Sequence, residues 1–333
     1  NTLVGSVPDW SSFGAATIFT LQAGWEPEAL PQSSDAQSGD LFGSVALDGD
    51  TLVVGAPEAD VCPITEPISD TGAAYVFIRQ PGGWAQDAVL CAPDAQAGDR
   101  FGFSVAISGA TIVVGAYGRD GDRGAAYVFE YTALQGINDW SQVGTLGVGG
   151  GQAGDGFGYS VAVQGAEIIV GAPWADGTQA DEGAAYVFGN SPTLNAGLDD
   201  WSQVGTLGSE NPQANGLYGY ALGLDGNLLA VGAPGEDQAG GTPVTDAGVV
   251  YVYTSGAGVT LDGAAPEDWS QVGTLGAEGD AGQGDGFGTA VALQGRQLIV
   301  GAPGEDGAGE VLTDTGIAYV FTITPTLTLA GMG

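Results

Sequence analysis

The chain has 333 residues, 44% of them apolar, with 40 acids against five arginines, neither lysine nor histidine, and a net charge of −35. That balance excludes nucleic acid, whose phosphates need cations, and disfavours an anionic membrane surface. Without an imidazole or amine base there is no Ser-His-Asp or Schiff-base chemistry, so a non-enzymatic protein is expected; a carboxylate pair for glycoside cleavage stands out in no copy of the repeat.

No run of eighteen apolar residues occurs, so no membrane-spanning or inserted segment is expected. A chain opening at Asn1 reads as a product trimmed from a precursor, which predicts a secreted or cell-surface, extracellular protein. Self-repulsion at this charge calls for screening by bound divalent cations or by saline surroundings, and both readings stand. Disorder conflicts with the apolar content and the regular strands.

In chain order, Asn1-Thr-Leu-Val-Gly-Ser-Val-Pro8 aligns with Asp50-Thr-Leu-Val-Val-Gly-Ala-Pro57 and reads as a degenerate strand, followed by a second at Ala15–Phe19. Phe42-Gly-Ser-Val-Ala then begins a paragraph that recurs from Phe101, Phe157, Tyr218 and Phe287, each copy passing through an apolar strand to Gly-Ala-Pro or, once, Gly-Ala-Tyr117. A period near sixty residues marks one supersecondary unit copied along the chain. Residues 84–129 show its content. Trp84–Leu90 is a strand, Phe101–Ile107 a second, Thr111–Ala116 a continuous apolar third, and Ala125–Phe129 a fourth after an acidic loop. Four short antiparallel strands with glycine turns predict a propeller blade. A β-sandwich is the competing all-β reading, but sandwiches do not repeat their strands at one fixed period.

Counting every Gly-Ala-Ala-Tyr-Val-Phe-type strand predicts a single all-β propeller over 1–333, most simply of six four-stranded blades with seven as the alternative. Its units run about 1–24, 25–83, 84–139, 140–200, 201–268 and 269–333, and N- and C-terminal strands close the ring. Thr326–Gly331 reads as the last outer strand, and the Phe-Gly strand of the first blade is missing. Three readings fit: the precursor carries that strand, the first blade is three-stranded, or a neighbouring molecule donates it.

Phe-Gly, Ser-Val-Ala, a tight turn, an apolar strand, Gly-Ala-Pro and Gly-Ala-Ala-Tyr-Val-Phe together resemble the FG-GAP repeat, over nearly the whole chain. That repeat builds the β-propeller of integrin α subunits and of many bacterial surface proteins; Trp-Ser-Gln before Phe-Gly (Trp140, Trp201, Trp269) is closer to the bacterial form. The resemblance implies an adhesion or binding module with a protein or glycan ligand on its loop face. The alternative is a structural subunit that assembles with copies of itself into a fibre or array. Integrin calcium loops lie between the Phe-Gly and Gly-Ala-Pro strands, where this chain has only tight turns such as Asp48-Gly49 and Gln294-Gly295, so those ligands do not carry over.

The acids gather instead after Gly-Ala-Pro, in the pairs Asp60/Asp70, Asp120/Asp122, Asp176/Asp181, Asp237/Asp246 and Asp306/Asp314. Two carboxylates at the ends of one closing loop suit calcium, which accepts irregular oxygen shells; solvated turn residues are the plain alternative. Asp40, Asp99, Asp155 and Asp285, just before Phe-Gly, read as turn caps. Cys62 and Cys91 lie in adjoining segments on this face and predict a disulfide. Trp25, Trp84, Trp140, Trp201 and Trp269 recur once per unit and read as packing residues. Trp174 and, more weakly, Trp10 are unique to their loops and are the candidate ligand contacts.

Overall fold

The computed structural model describes residues 2–7, 15–21, 25–29, 33–35, 37, 39–62, 68–134, 137–190, 201–237, 244–256, 269–277, 282–305 and 315–324. Among the described residues, all regular structure beyond one distorted turn at Arg119–Asp122 is β. The first sheet is three-stranded: β1 (Thr2–Val7), β2 (Ala15–Leu21) and β3 (Trp25–Ala29). Four sheets of four follow. These are β4 (Ser44–Asp48), β5 (Thr51–Ala56), β6 (Ala73–Gln80) and β7 (Gly83–Leu90), then β8 (Ser104–Ser108), β9 (Thr111–Ala116), β10 (Ala125–Leu134) and β11 (Ile137–Leu146). The next are β12 (Ser160–Gln164), β13 (Glu167–Ala172), β14 (Ala184–Asn190) and β15 (Trp201–Leu207), then β16 (Ala221–Asp225), β17 (Leu228–Ala233), β18 (Val249–Ser255) and β19 (Trp269–Leu275). The last sheet is again of three: β20 (Ala290–Gln294), β21 (Gln297–Ala302) and β22 (Ile317–Thr322).

The expected count of six blades, with seven as the alternative, is therefore corrected to five. A blade is defined by its Phe/Tyr-Gly strand, and among the described residues only β4, β8, β12, β16 and β20 carry one; the fifth of these blades has three described strands. Counting Gly-Ala-Ala-Tyr-Val-Phe strands overcounts, because β2 belongs to a sheet without that innermost strand. The segment 326–331, expected to supply a last outer strand and help close a ring, lies outside the described residues.

Sequence explains the internal order of each blade. The second strands are continuous apolar runs, and β5, β9, β13 and β17 are buried from their second residue onward, as strands covered on both faces must be. In β6/β7, β10/β11 and β18/β19 the register shifts at one equivalent place, between Val76/Phe77, Val128/Phe129 and Val252/Tyr253. Such a bulge adds the twist that a blade needs.

The chain divides into two compact units, Asn1–Val170 with Phe188–Gln203, and Gly171–Val187 with Val204–Gly333. In the first, Val53, Ala74 and Val76 of one blade pack with Val105, Ile112, Val114 and Tyr127 of the next. In the second, Ala230, Val250 and Val252 pack with Phe287, Leu298 and Val300. Glycine permits this approach: a Cβ on Gly55 or Gly115 would run into the carbonyl oxygen of Gly102 or Gly158. The tryptophans serve packing as well. Trp140 and Trp269 are buried, Trp84 lies under the Arg79 guanidinium at 4.7 Å, and Trp140 meets Tyr131.

Candidate functional site

The strands place two kinds of loop at one end of each blade: those after the second strand, and those leading into Phe/Tyr-Gly. Cys62 and Cys91 are disulfide-bonded across this end, Cα to Cα 5.7 Å.

The acidic pairs form a repeated structural device. Asp60 Oδ1 accepts the backbone N–H of Asp70 at 2.8 Å, Asp176 Oδ1 that of Asp181 at 2.9 Å, and Asp237 Oδ1 that of Asp246 at 3.1 Å. The second residue of each pair is left-handed, with φ of 54°, 52° and 54°, which Asp tolerates better than most residues. Its carbonyl then takes an N–H from the following blade: Asp70 from Arg100, Asp181 from Leu217, Asp246 from Gly286. In each of these three loops a carboxylate thus meets the backbone amide of the second acid. Asp120 sits between Arg119 (3.8 Å) and Arg123 (3.9 Å), and Asp122, also left-handed, passes its carbonyl to Gly156. Asp306, Asp314 and Trp10 lie outside the described residues. Trp174 is half-buried at the start of the β13–β14 loop.

Asp40, Asp99 and Asp155 cap their turns, each accepting the N–H three residues back at 2.7–2.8 Å; Asp285 does the same for Gly282. Burial raises the pKa of Asp40 and Asp99 despite these bonds.

Beneath the loops, a tyrosine hydroxyl meets a carboxylate in a blade-specific way. Tyr127 donates to Asp94 at 2.9 Å and accepts from Arg119 at 2.7 Å, while Arg119 also pairs with Asp94. At the position of Arg119 a later blade has Glu236, 2% exposed, which accepts from Tyr251 at 2.5 Å. Burial pushes the Glu236 carboxyl above the ordinary carboxylate value.

One cluster on this face is built around a break in the repeat, Tyr117 in place of proline. Phe103 stands 4.5 Å from Tyr117 and 4.8 Å from Tyr159, and the two tyrosine rings are 5.5 Å apart. All three are half-buried, and Arg100 donates to the Tyr117 hydroxyl at 2.6 Å with its guanidinium over that ring. Phe103 and Tyr159 sit just before β8 and β12, and Tyr117 just after β9, so the strand ends aim all three at one place. The position of Phe103 is held by Tyr159 and Tyr220 in the next two blades and by Thr289 in the last, and the first blade lacks it; every other blade has proline where Tyr117 stands. Sequence reasoning missed this cluster; the broken Gly-Ala-Pro at Tyr117 was its signal. Tilted rings with a guanidinium and hydroxyls offer apolar contact and directed hydrogen bonds together.

At the opposite end, a cleft of about 450 Å³ opens between two tight turns, lined by Asp225, Asn227, Thr254, Val272, Arg296 and Ile323 among others. Arg296 donates to the Ile323 carbonyl there at 3.5 Å.

A family model described as FG-GAP repeat matches residues 25–77, 84–129, 140–188, 201–253 and 269–321. No curated protein matches. Among solved structures, the crystal structure of Sqt1 from Chaetomium thermophilum is 13% identical with a TM-score of 0.46, over 91% of this chain and 63% of that one. The chain therefore spans less than two thirds of that protein's length.

Proposed function

This chain belongs to the FG-GAP repeat family, and from that premise we propose that it is a non-enzymatic binding module whose ligand docks at Phe103, Tyr117 and Tyr159. The supporting observation is that Tyr117 departs from the proline of the other Gly-Ala-Pro turns and meets Phe103 and Tyr159 in one ring cluster. Repeated residues close loops and join blades; a half-exposed aromatic cluster on one blade pair is free to vary with a ligand. A protein or glycan ligand suits such a surface, and adhesion is the role that follows. No helix among the described residues is long and apolar enough to cross a membrane. The Cys62–Cys91 disulfide fits an oxidising, extracellular setting. Calcium is the cation proposed to hold the acidic loops, through carboxylate oxygens left over after loop closure and backbone carbonyls.

The test is an array of glycans and extracellular proteins probed with the intact chain, with calcium and with chelator. Selective binding that Tyr117→Pro abolishes supports the reading; a blank array, or binding indifferent to Tyr117, counts against it.

A second reading, a subunit of an extracellular assembly, is favoured by one observation: Ile299 and Val320 are exposed by 46% and 67% on the last sheet.

A further inference from the structure

Two departures from the repeat fall side by side in one blade. The residue before each Phe/Tyr-Gly is left-handed, and the other blades place leucine or glycine there: Leu41 (φ 53°), Gly156 (φ 68°), Leu217 (φ 57°) and Gly286 (φ 64°). The second blade places Arg100 there instead, at φ 56°. The same blade carries Tyr117 in place of proline, and the two substituted residues touch. Arg100 Nη1 donates to the Tyr117 hydroxyl at 2.6 Å, and the guanidinium carbon lies 5.2 Å from the centre of that ring. Both residues, with Phe103 and Tyr159, belong to the first compact unit, and all four are half-buried.

The charge of Arg100 is handled unlike that of its neighbours. Arg79, Arg119 and Arg123, the other arginines of this unit, stand against Asp50, Asp94 and Asp120. Among the described residues no carboxylate stands within ion-pair distance of Arg100, although the chain has 40 acids to supply one. A guanidinium donates through five N–H groups and accepts none, so the bond to Tyr117 uses one and leaves the others for a partner. That bond and the ring beneath also hold the planar fork in one orientation, which is the preparation a bidentate carboxylate contact needs.

We infer that the aromatic site takes a sugar bearing a carboxylate, with the Arg100 guanidinium as the partner of that carboxylate. The inference rests on the reading of Phe103, Tyr117 and Tyr159 as the ligand site. The three ring centres lie within 5.5 Å of one another, a compact triangle with room for one six-membered ring rather than for a helix or a strand. The apolar C–H face of a pyranose packs on such rings, and its carboxylate supplies the charge that Arg100 lacks. The net charge of −35 repels a densely acidic peptide or polyanion, whereas a sugar brings one charge among neutral hydroxyls to the one place that receives it.

The test titrates the intact chain with methyl glucuronide, methyl galacturonide and sialyllactose, beside their neutral counterparts methyl glucoside, methyl galactoside and lactose, read by saturation-transfer NMR. At least one acidic sugar should bind saturably, and at least about tenfold more tightly than its neutral counterpart. Arg100→Leu, which installs the residue that other blades carry at Leu41 and Leu217, should remove that preference and keep the melting temperature within about 2 °C of the parent. Arg100→Gln, which keeps a donor for the Tyr117 hydroxyl without the charge, should remove it as well. No preference for any acidic sugar, a preference that survives both variants, or tighter binding of an acetylated glutamate peptide overturns the inference. Array binding of a neutral glycan or a protein that Tyr117→Pro abolishes would then still uphold the aromatic site itself, so the two failures are distinguishable.

Discussion

The carboxylate of Asp60 accepts the backbone N–H of Asp70, and the Asp70 carbonyl in turn accepts the N–H of Arg100 in the next blade. One side chain therefore holds a left-handed residue in the conformation that links two blades. Asp60→Ala removes the first bond and should cost about 1 kcal/mol in urea unfolding. Asp70→Gly keeps the required φ and should lie within about 0.5 kcal/mol of the parent, whereas Asp70→Val should destabilise clearly.

Glu236 gives a pH signature. Burial raises its pKa above the ordinary 4.5, so the folded protein holds its proton to higher pH than the unfolded chain does. Stability is then lost as pH rises from about 4.5 through the folded value. Glu236→Gln, which still accepts the Tyr251 hydroxyl, should be the more stable protein at pH 8, on the order of 1 kcal/mol. The gain should vanish below pH 4; thermal melts across that range check it, and a gain that persists in acid would contradict the assignment to charge burial.

The Cys62–Cys91 bond closes a loop with a sequence separation of 29. Chain-entropy arguments put its contribution at about 3–4 kcal/mol. Reduction, or the double change to serine, should lower the denaturation midpoint accordingly and leave the last sheet's residues unaffected in hydrogen exchange.

A net charge of −35 repels itself. Raising sodium chloride from about 10 mM to 1 M should raise the melting temperature by several degrees. Millimolar calcium in the presence of high salt should add to that only if ions bind specifically, which separates screening from the proposed loop sites.

Much of the blade was legible because its determinants are local. Continuous apolar runs gave the doubly covered strands, glycine pairs gave the turns, and Asp before Phe-Gly gave the caps. The blade count was not, because a Gly-Ala-Ala-Tyr-Val-Phe strand looks the same whether or not an inner strand completes its sheet. The acidic pairs were legible as loop residues, whereas the bond from the first carboxylate to the amide of the second acid depends on the loop's backbone path and not on spacing. Compensation across the repeat was also hidden: Tyr218 and Tyr253 both depart from Phe, and their buried hydroxyls bond to each other at 2.7 Å. The aromatic cluster needed three residues, distant in sequence, to converge at neighbouring strand ends.

If repeated residues such as Asp60 hold the fold and the break in the repeat at Tyr117 holds the proposed ligand, the two properties separate by mutation. The direct measurement is array binding and melting, side by side, for the parent, Tyr117→Pro and Asp60→Ala. Tyr117→Pro should keep the melting temperature and lose binding, while Asp60→Ala should melt lower and bind as before. Binding by Tyr117→Pro equal to that of the parent would contradict it.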